Sequence, residues 1–495
     1  IFSFFSPSNC RKYLYRGRLK PNLSGHGAAA NMNKSKYWIL LVLISGLGLV
    51  LRLNNYDQVP PWREADDEIH YAWAGLTWLR EGTPKSWSYL SSYPTFETYL
   101  AWDTKWRLVS PMLEKPPVYI LLNGVLLVLT GVKNLDQVRL SVIRLLPIIF
   151  SLITIYLIGL VGKKVFRPAI GLLAALFYAL TPIVVLSNRL SVTENLLTPI
   201  FLVATLVFVH ESKSKHSSSY QPWLLGILAG LAALTKQSGI ALAVALGCLF
   251  AYQREWQKLW RFGLTAFGLN LIYPAIGWYY NWPLFSSLVA EQRRIGLQGG
   301  LPQLILTILS RPLIGSEHLF VDGTLLLGYL LFFTSPYWLL TLKTKTENWK
   351  RIGLLTIPFT YIIYLALATT GAEPMGSGQG FWGWYMYPLF PYLTVLIAVI
   401  LYDIWQAFSL FKFLPLFLLL GSSAVRFSLL FLPQSLHYRW QMSLGLLLVL
   451  VLALWQLPKY RKIMLTLLFL LFLAVNIFTS IHLDQIYPSL AQPTP

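Results

Sequence analysis

The sequence predicts an all-α, polytopic transmembrane bundle of about 13 spans, with interfacial helices in its first outer loop. Three observations lead there. The chain is 55% hydrophobic and only 12% charged, about half the charge of an average soluble domain. Apolar runs of about 16–22 residues recur almost to the C-terminus, close to the length that crosses a hydrocarbon core roughly 30 Å thick. Lys and Arg gather in alternate short loops, the pattern of loops retained on the cytoplasmic side. Backbone amides in lipid need internal partners, which favours helices, and the alternating pattern of an outer-membrane barrel is absent.

These readings exclude other classes. The net charge of +20 follows from the short basic loops, so no nucleic-acid partner is expected. Cys10 and Cys248 are the only cysteines, and Cys248 lies in an apolar run. Neither a disulfide framework nor a Cys-based metal site is predicted.

Residues 1–31 are polar, basic and rich in Gly, Ser and Asn, ahead of the first methionine, Met32. They read as an extension upstream of a natural start, or as a disordered cytoplasmic tail; no signal-peptide pattern precedes Met32. Residues 32–482 read as one transmembrane domain, followed by an outer tail, 483–495. Lys34 and Lys36 hold the N-terminus inside, so the first helix, about 37–53, leads outward.

The first outer loop, about 54–115, comes next. The run Pro116 to Gly131 is short, and a crossing there would invert every later loop, so it reads as a re-entrant or interfacial helix. Inside loops are marked by Lys163, Lys164 and Arg167, by Lys213 and Lys215, and by Arg254, Lys258 and Arg261. Lys343, Lys345, Lys350 and Arg351 mark another, and Lys459, Arg461 and Lys462 the last. Helix pairs are predicted near 169–187 and 192–210, 222–235 and 238–253, 262–280 and 324–342, and 352–369 and 382–402. Helices near 412–432, 441–457 and 463–482 complete the bundle. A second long outer loop, 281–323, contains "LPQLILTILSRPLIG", suited to an interfacial helix. A third, from Thr369, is Gly-rich.

The chain has only 20 acidic residues, yet Asp66, Asp67 and Glu68 stand together in "WREADDEIHYAWAGLTWLREG". The residues after them read as a helix, with Tyr71, Trp73 and Trp78 for the interface and Arg80 near its end. Carboxylates in its first turn are favoured by the helix dipole, and one of them could act as general base. Asp66 could equally face water. In "LEKPPVYILLNG", Glu114 and Lys115 precede a proline pair that suits a helix start. Lys115 suits an anionic headgroup or ordinary snorkelling to the interface. "SNRLSVTENLLTP" puts Arg189 and Glu194 in an outer turn. "GLAALTKQSGIAL" puts Lys236 in another, against the positive-inside tendency. Acids and cations thus gather on one face by topology, a set suited to an anionic lipid-linked substrate and acid–base chemistry.

The order of Asp67-Glu68, "EKPP", "RLSVTEN" and "GLAALTK" resembles the GT-C superfamily of membrane glycosyltransferases. The likeness is greatest to the branch of aminoarabinose transferases and protein O-mannosyltransferases. It covers residues 37–255 well and weakens afterwards, where "YMYPLFPYLTVLIA" from Tyr385 is similar to the family's late Tyr-x-x-Pro helix. The motifs' order carries the likeness, since none is specific alone. The resemblance implies inverting transfer of a sugar from a polyprenyl-phosphate donor to a lipid, glycan or protein acceptor. That reaction would take place on the extracytoplasmic face of the plasma (in bacteria, inner) membrane, among membrane lipids.

The resemblance makes Asp67 the base, with Glu68 beside it. Lys115 would hold the carrier phosphate, with Lys236 as a second phosphate contact. The second family acid, usually Asp, falls on Glu194. Glu114, Arg189, Tyr71 and Tyr385 join the expected substrate-binding set. No cofactor is certain; some relatives use a divalent metal, others none, and no ligand cluster stands out here. A lipid-linked sugar transporter or flippase, and a polysaccharide polymerase or ligase, are the competing readings. Against a transporter, no repeated halves are visible.

Overall fold

The computed structural model describes residues 33–62, 65–211, 220–292, 322–340, 345–368, 383–406, 413–455 and 457–485. The N-terminal extension, Lys213 and Lys215, "LPQLILTILSRPLIG", Lys343, residues 369–382 of the Gly-rich loop and residues 486–495 of the tail lie outside them.

The chain is an integral membrane bundle of helices. Five helices among the described residues are long and apolar enough to cross a membrane: Lys34–Leu53, Leu140–Val165, Trp349–Leu367, Gly383–Gln406 and Lys459–Ile481. The first starts at Asn33, whose side chain accepts the Ser35 N–H at 3.1 Å and so satisfies a free first-turn amide. Helix Pro168–Leu180 has Pro at its first position, stops at Thr181 in an extended conformation, and restarts as Pro182–Ser187 on a second proline. Helices Glu194–Glu211, Gln221–Thr235 and Ile240–Tyr252 come after it. One continuous apolar core joins these elements to helices Lys345–Ala368 and Phe390–Gln406.

Charges sort to the two ends of the bundle. Lys163 lies over the rings of Tyr37 and Trp38 at the start of the first helix. Lys164 contacts His210 at 2.8 Å, the Lys350 ammonium donates to the Lys164 carbonyl, and Arg167 donates to the Tyr402 hydroxyl. Arg144 and Glu194 stand at the opposite ends of the helices that carry Lys164 and His210. Helices of 21 and 18 residues separate those ends by about 30 Å. Acids and lone cations therefore collect at one end and the basic loops at the other.

The first outer loop departs from expectation. Helix Asp67–Glu81 forms as predicted, ending at Gly82 in the left-handed region. Beyond it lies a three-stranded antiparallel sheet of order β1-β3-β2, built from β1 (Ser86–Trp87), β2 (Glu97–Ala101) and β3 (Thr104–Val109). The β2–β3 turn places Trp102 and Asp103 at φ 51° and 56°. Two positive φ values suit a tight hairpin, but the usual Asn-Gly signal is missing. Trp102 tolerates the position because its ring stacks on Trp73, 5.5 Å between centroids. Trp62, Trp73, Trp87 and Trp106 form the core beneath the sheet.

Helix Pro117–Leu129 has 13 residues, about 20 Å, too short for a hydrocarbon core of about 30 Å. It lies parallel to helix Asp67–Glu81: Lys115 meets Asp67 at one end, while Arg80 and Leu129 share a surface hollow at the other. Midway, Gly75 faces Gly124. A Cβ on Gly75 would fall 2.1 Å from the Ile120 carbonyl oxygen, and one on Gly124 would fall 2.3 Å from that of Gly75. Both obstacles are backbone, so Gly75→Ala must push the helices apart. It is expected to cost about 1–3 kcal/mol, the usual range for overpacking, read as a lower unfolding temperature. Gly46→Ala, which meets nothing within 4 Å, is the control; equal effects of the two would refute the contact.

The helix expected near 262–280 is instead two. Trp256–Asn270 ends at Leu271, and Ile272–Gln292 runs into the predicted second outer loop, kinked at Asn281 two residues before Pro283. The Tyr273 hydroxyl donates to the Leu113 carbonyl and the Gln292 amide to that of Glu114, at 2.8 Å each. Both arms of the kinked helix are thus pinned beside the segment carrying Lys115.

Candidate active site

Four helix starts meet at the acid-bearing end: Asp67–Glu81, Pro117–Leu129, Glu194–Glu211 and, through the 3-10 turn Gln237–Gly239, Ile240–Tyr252. Each brings the positive end of its dipole there. That is a setting for an anion.

Lys115 stands before the second of these helices because Pro116 and Pro117 fix the chain there. Its ammonium lies 3.8 Å from Asp67 Oδ1 and 5.9 Å from the Tyr71 ring centre. The Tyr71 hydroxyl reaches Asp67 Oδ2 at 3.4 Å. Burial alone would raise the Asp67 carboxyl, but Lys115, supported by Lys236, outweighs it and holds Asp67 below the usual range. Lys115 in turn is raised well above its ordinary value, Asp67 overcoming the burial that opposes it. Both side chains keep a path to solvent, at 21% and 28% exposure.

Lys236 approaches from the far side. It pairs with Glu194 and lies 3.9 Å above the ring of Tyr385. It is close enough to Lys115 and Asp67 for each to act on its charge. Residues from five separate segments, Asp67, Lys115, Glu194, Lys236 and Tyr385, thus occupy one place. Glu194 is fully buried behind Lys236, with its other oxygen accepting from the Thr193 hydroxyl at 2.8 Å. It neutralises Lys236 from behind and does not face the opening.

Three expected site residues are turned away. Glu68, expected beside the base, points to a different face of its helix and is fully buried. It forms a two-pronged pair with Arg144, at 3.0 and 2.7 Å, and accepts the Ser191 N–H at 2.7 Å. The remaining Arg144 nitrogen donates to the carbonyls of Tyr56 and Pro60. The physical reason is helical geometry: neighbours in sequence are about 100° apart around a helix, so Asp67 and Glu68 cannot share a face. Arg189, expected to bind substrate, is buried and donates to the carbonyls of Leu51 and Val59. It satisfies a carbonyl in the last turn of the first helix. Glu114, also expected to bind substrate, is buried against Ser88 and His70.

His70 and Arg144 were missed by the sequence reading. The available signals were the i, i+3 spacing of His70 from Asp67, which puts both on one helix flank, and a lone Arg opening an apolar helix. Among the described residues no group of three or more His, Cys, Asp or Glu side chains is placed to hold a metal ion. A cavity of about 490 Å³ among the last three helices is walled by apolar residues such as Phe417, Trp440 and Val475 and holds no titratable side chain. The chemistry is not there.

A family model described as dolichyl-phosphate-mannose-protein mannosyltransferase matches residues 114–278. The match starts at Glu114 and takes in Lys115, Glu194 and Lys236. The structure is similar to that of ArnT from Cupriavidus metallidurans bound to undecaprenyl phosphate, with TM-score 0.53 and 13% identity over 91% of this chain and 78% of that one. The chain has a GT-C fold. Apo ArnT from the same organism gives TM-score 0.53 and 12% identity over 91% and 76%. The GT-C likeness extends to the oligosaccharyltransferase AglB from Archaeoglobus fulgidus, in complex with an inhibitory peptide and a dolichol-phosphate: TM-score 0.51, 14% identity, 93% of this chain. It covers 56% of AglB, so the chain spans little more than half of that relative. No curated protein matches the chain in sequence.

Proposed function

We propose that the protein is an inverting membrane glycosyltransferase. It takes a sugar from a polyprenyl-phosphate carrier and passes it to a hydroxyl or amine of a lipid, glycan or protein acceptor on the extracytoplasmic face. The observation that carries this reading is the ionised Asp67 opposed to Lys115 and Lys236 where four helix starts meet. The family match to a dolichyl-phosphate-dependent transferase and the undecaprenyl phosphate bound by ArnT support a lipid-linked donor.

In the proposed step the acceptor oxygen or nitrogen attacks the anomeric carbon while Asp67 takes its proton. The bond between that carbon and the phosphate oxygen breaks, and the electron pair leaves with the polyprenyl phosphate. Lys115, Lys236 and the helix starts stabilise the developing charge. A single displacement inverts the configuration. Lys115 has a second effect. When the phosphate draws it from Asp67, the carboxylate loses its nearest cation and becomes a stronger base. Donor binding would thus activate the base.

The test is a membrane assay with candidate polyprenyl-phosphate sugars, scoring release of carrier phosphate and the anomeric configuration of the product. Retention of configuration would refute single displacement. Lys115→Ala is expected to weaken binding of the carrier phosphate by about 10–100-fold, the loss of one charged hydrogen bond of roughly 1.5–3 kcal/mol. An unchanged Kd would remove Lys115 from the phosphate site.

A further inference from the structure

His70 and Glu114 form a contact that the proposed reaction does not use. The imidazole Nδ1 lies 2.8 Å from the Trp87 carbonyl. A carbonyl only accepts, so Nδ1 carries a hydrogen. Nε2 is a buried nitrogen without a hydrogen bond of good geometry, and Glu114 Oε1 lies 3.4 Å from it. The second carboxyl oxygen of Glu114 accepts from the Ser88 hydroxyl at 2.6 Å. His70 is 1% exposed and Glu114 7%. Without a proton between them, two lone pairs would face each other in a buried site, which is costly.

We propose that Glu114 and His70 share one proton that keeps Glu114 uncharged and so leaves the neighbouring Lys115 to Asp67 and the donor phosphate. This rests on the proposed function, and it makes both side chains positioning residues. The connections run Ser88 to Glu114, Glu114 to His70, and His70 to the Trp87 carbonyl. They join β1 and the residue after it, the segment leading into helix Pro117–Leu129, and the helix carrying Asp67. An ionised Glu114 would break the middle link and present a second carboxylate to Lys115.

The surroundings favour the neutral pair. Burial pushes the Glu114 carboxyl up to about 7, and the Lys115 charge and the Ser88 hydrogen bond only partly offset this. Burial draws the His70 imidazole down to about 3, with Lys115 acting in the same direction. The groups facing the pair are Lys115 on its own segment, Asp67 and Tyr71 on helix Asp67–Glu81, Ser88, Tyr89 and Tyr93 beside the sheet, and Tyr273 and Glu291 on the kinked helix. Below about pH 7 the proton is held and the connections are intact; as pH rises through that value they open.

Two measurements on the full chain in lipid nanodiscs test this. Infrared spectra of the unliganded protein should show a carboxylic-acid carbonyl band at pH 6 that is absent in Glu114→Gln and fades in the parent as pH rises through about 7. Binding of undecaprenyl phosphate should weaken with rising pH in the parent relative to Glu114→Gln by about tenfold, equal to about 1.4 kcal/mol. The phosphate's own ionisation is common to both proteins and cancels in that ratio. Parallel binding curves, or no band lost in Glu114→Gln, would overturn the proposal. If undecaprenyl phosphate binds neither protein at any pH, the donor reading fails, and the infrared band still decides where the proton resides.

Discussion

Asp67→Asn is expected to lower turnover by about 100-fold or more, the usual range for loss of a general base. The substitution preserves the shape of the side chain and removes its ability to take a proton. Asp67 is partly exposed, and it is held ionised by Lys115. Folding should be little affected, because the amide can still accept from the Tyr71 hydroxyl. Carrier-phosphate binding should hold or tighten, since Lys115 loses its competing partner. Slow turnover with retained binding is therefore the signature, measured by single-turnover kinetics in correctly inserted protein. Activity within a few-fold of the parent would mean that another residue is the base. Asp66→Asn, one position earlier, should have a mild effect.

The largest effect on stability is expected at Arg144. Its guanidinium and Glu68 are both fully buried, and together they tie the 56–60 segment, the Asp67 helix, the start of Leu145–Val165 and the turn at Ser191. Arg144→Met leaves a buried carboxylate without its cation, a change that typically costs about 3–5 kcal/mol. Thermal unfolding in detergent should show a large drop and poor yield. Adding Glu68→Met should recover part of the loss, because the uncompensated charge is gone. The Ser191 N–H and two carbonyls then still lack partners. A loss under about 1 kcal/mol in Arg144→Met would show that the pair is dispensable. The family resemblance puts Glu68 beside the base; its place in the structure ties it instead to the position of the whole Asp67 helix.

Much of the architecture is legible in the residues because lipid imposes a severe rule. Every amide must be paired within its own helix, so long apolar runs have one solution. The sorting of Lys163, Lys164, Arg167, Lys350 and Arg351 to one end comes from the same loops that the charge pattern marked. The small sheet was invisible for the opposite reason. Its strands have two, five and six residues, and the Trp102–Asp103 turn lacks the usual glycine. The indole rings of Trp62, Trp73 and Trp106 around Trp102 hold that turn in place. The break at Leu271 was hidden because apolar residues continue on both sides of it.

The site divides in the same way. Charged side chains are so scarce in an apolar chain that their positions and the loop parity gathered Asp66, Asp67, Glu68, Glu114, Lys115, Arg189, Glu194 and Lys236 at one end, while only the family resemblance singled out Asp67, Lys115, Glu194 and Lys236 among them. Composition and spacing determined the gathering at one end. What they could not determine is direction. Asp67 and Glu68, Glu114 and Lys115, and Arg189 and Glu194 are near neighbours in sequence, and in each case one member faces a different partner. The choice depends on which surface each helix buries, and packing at Gly75 and Gly124 sets that surface for the first pair of helices. Burial then separates roles that residue type leaves equal. Glu68, meeting Arg144, becomes a strut, and Glu114, meeting His70, holds a proton. Asp67, left partly open beside Lys115, keeps the charge that the proposed reaction requires.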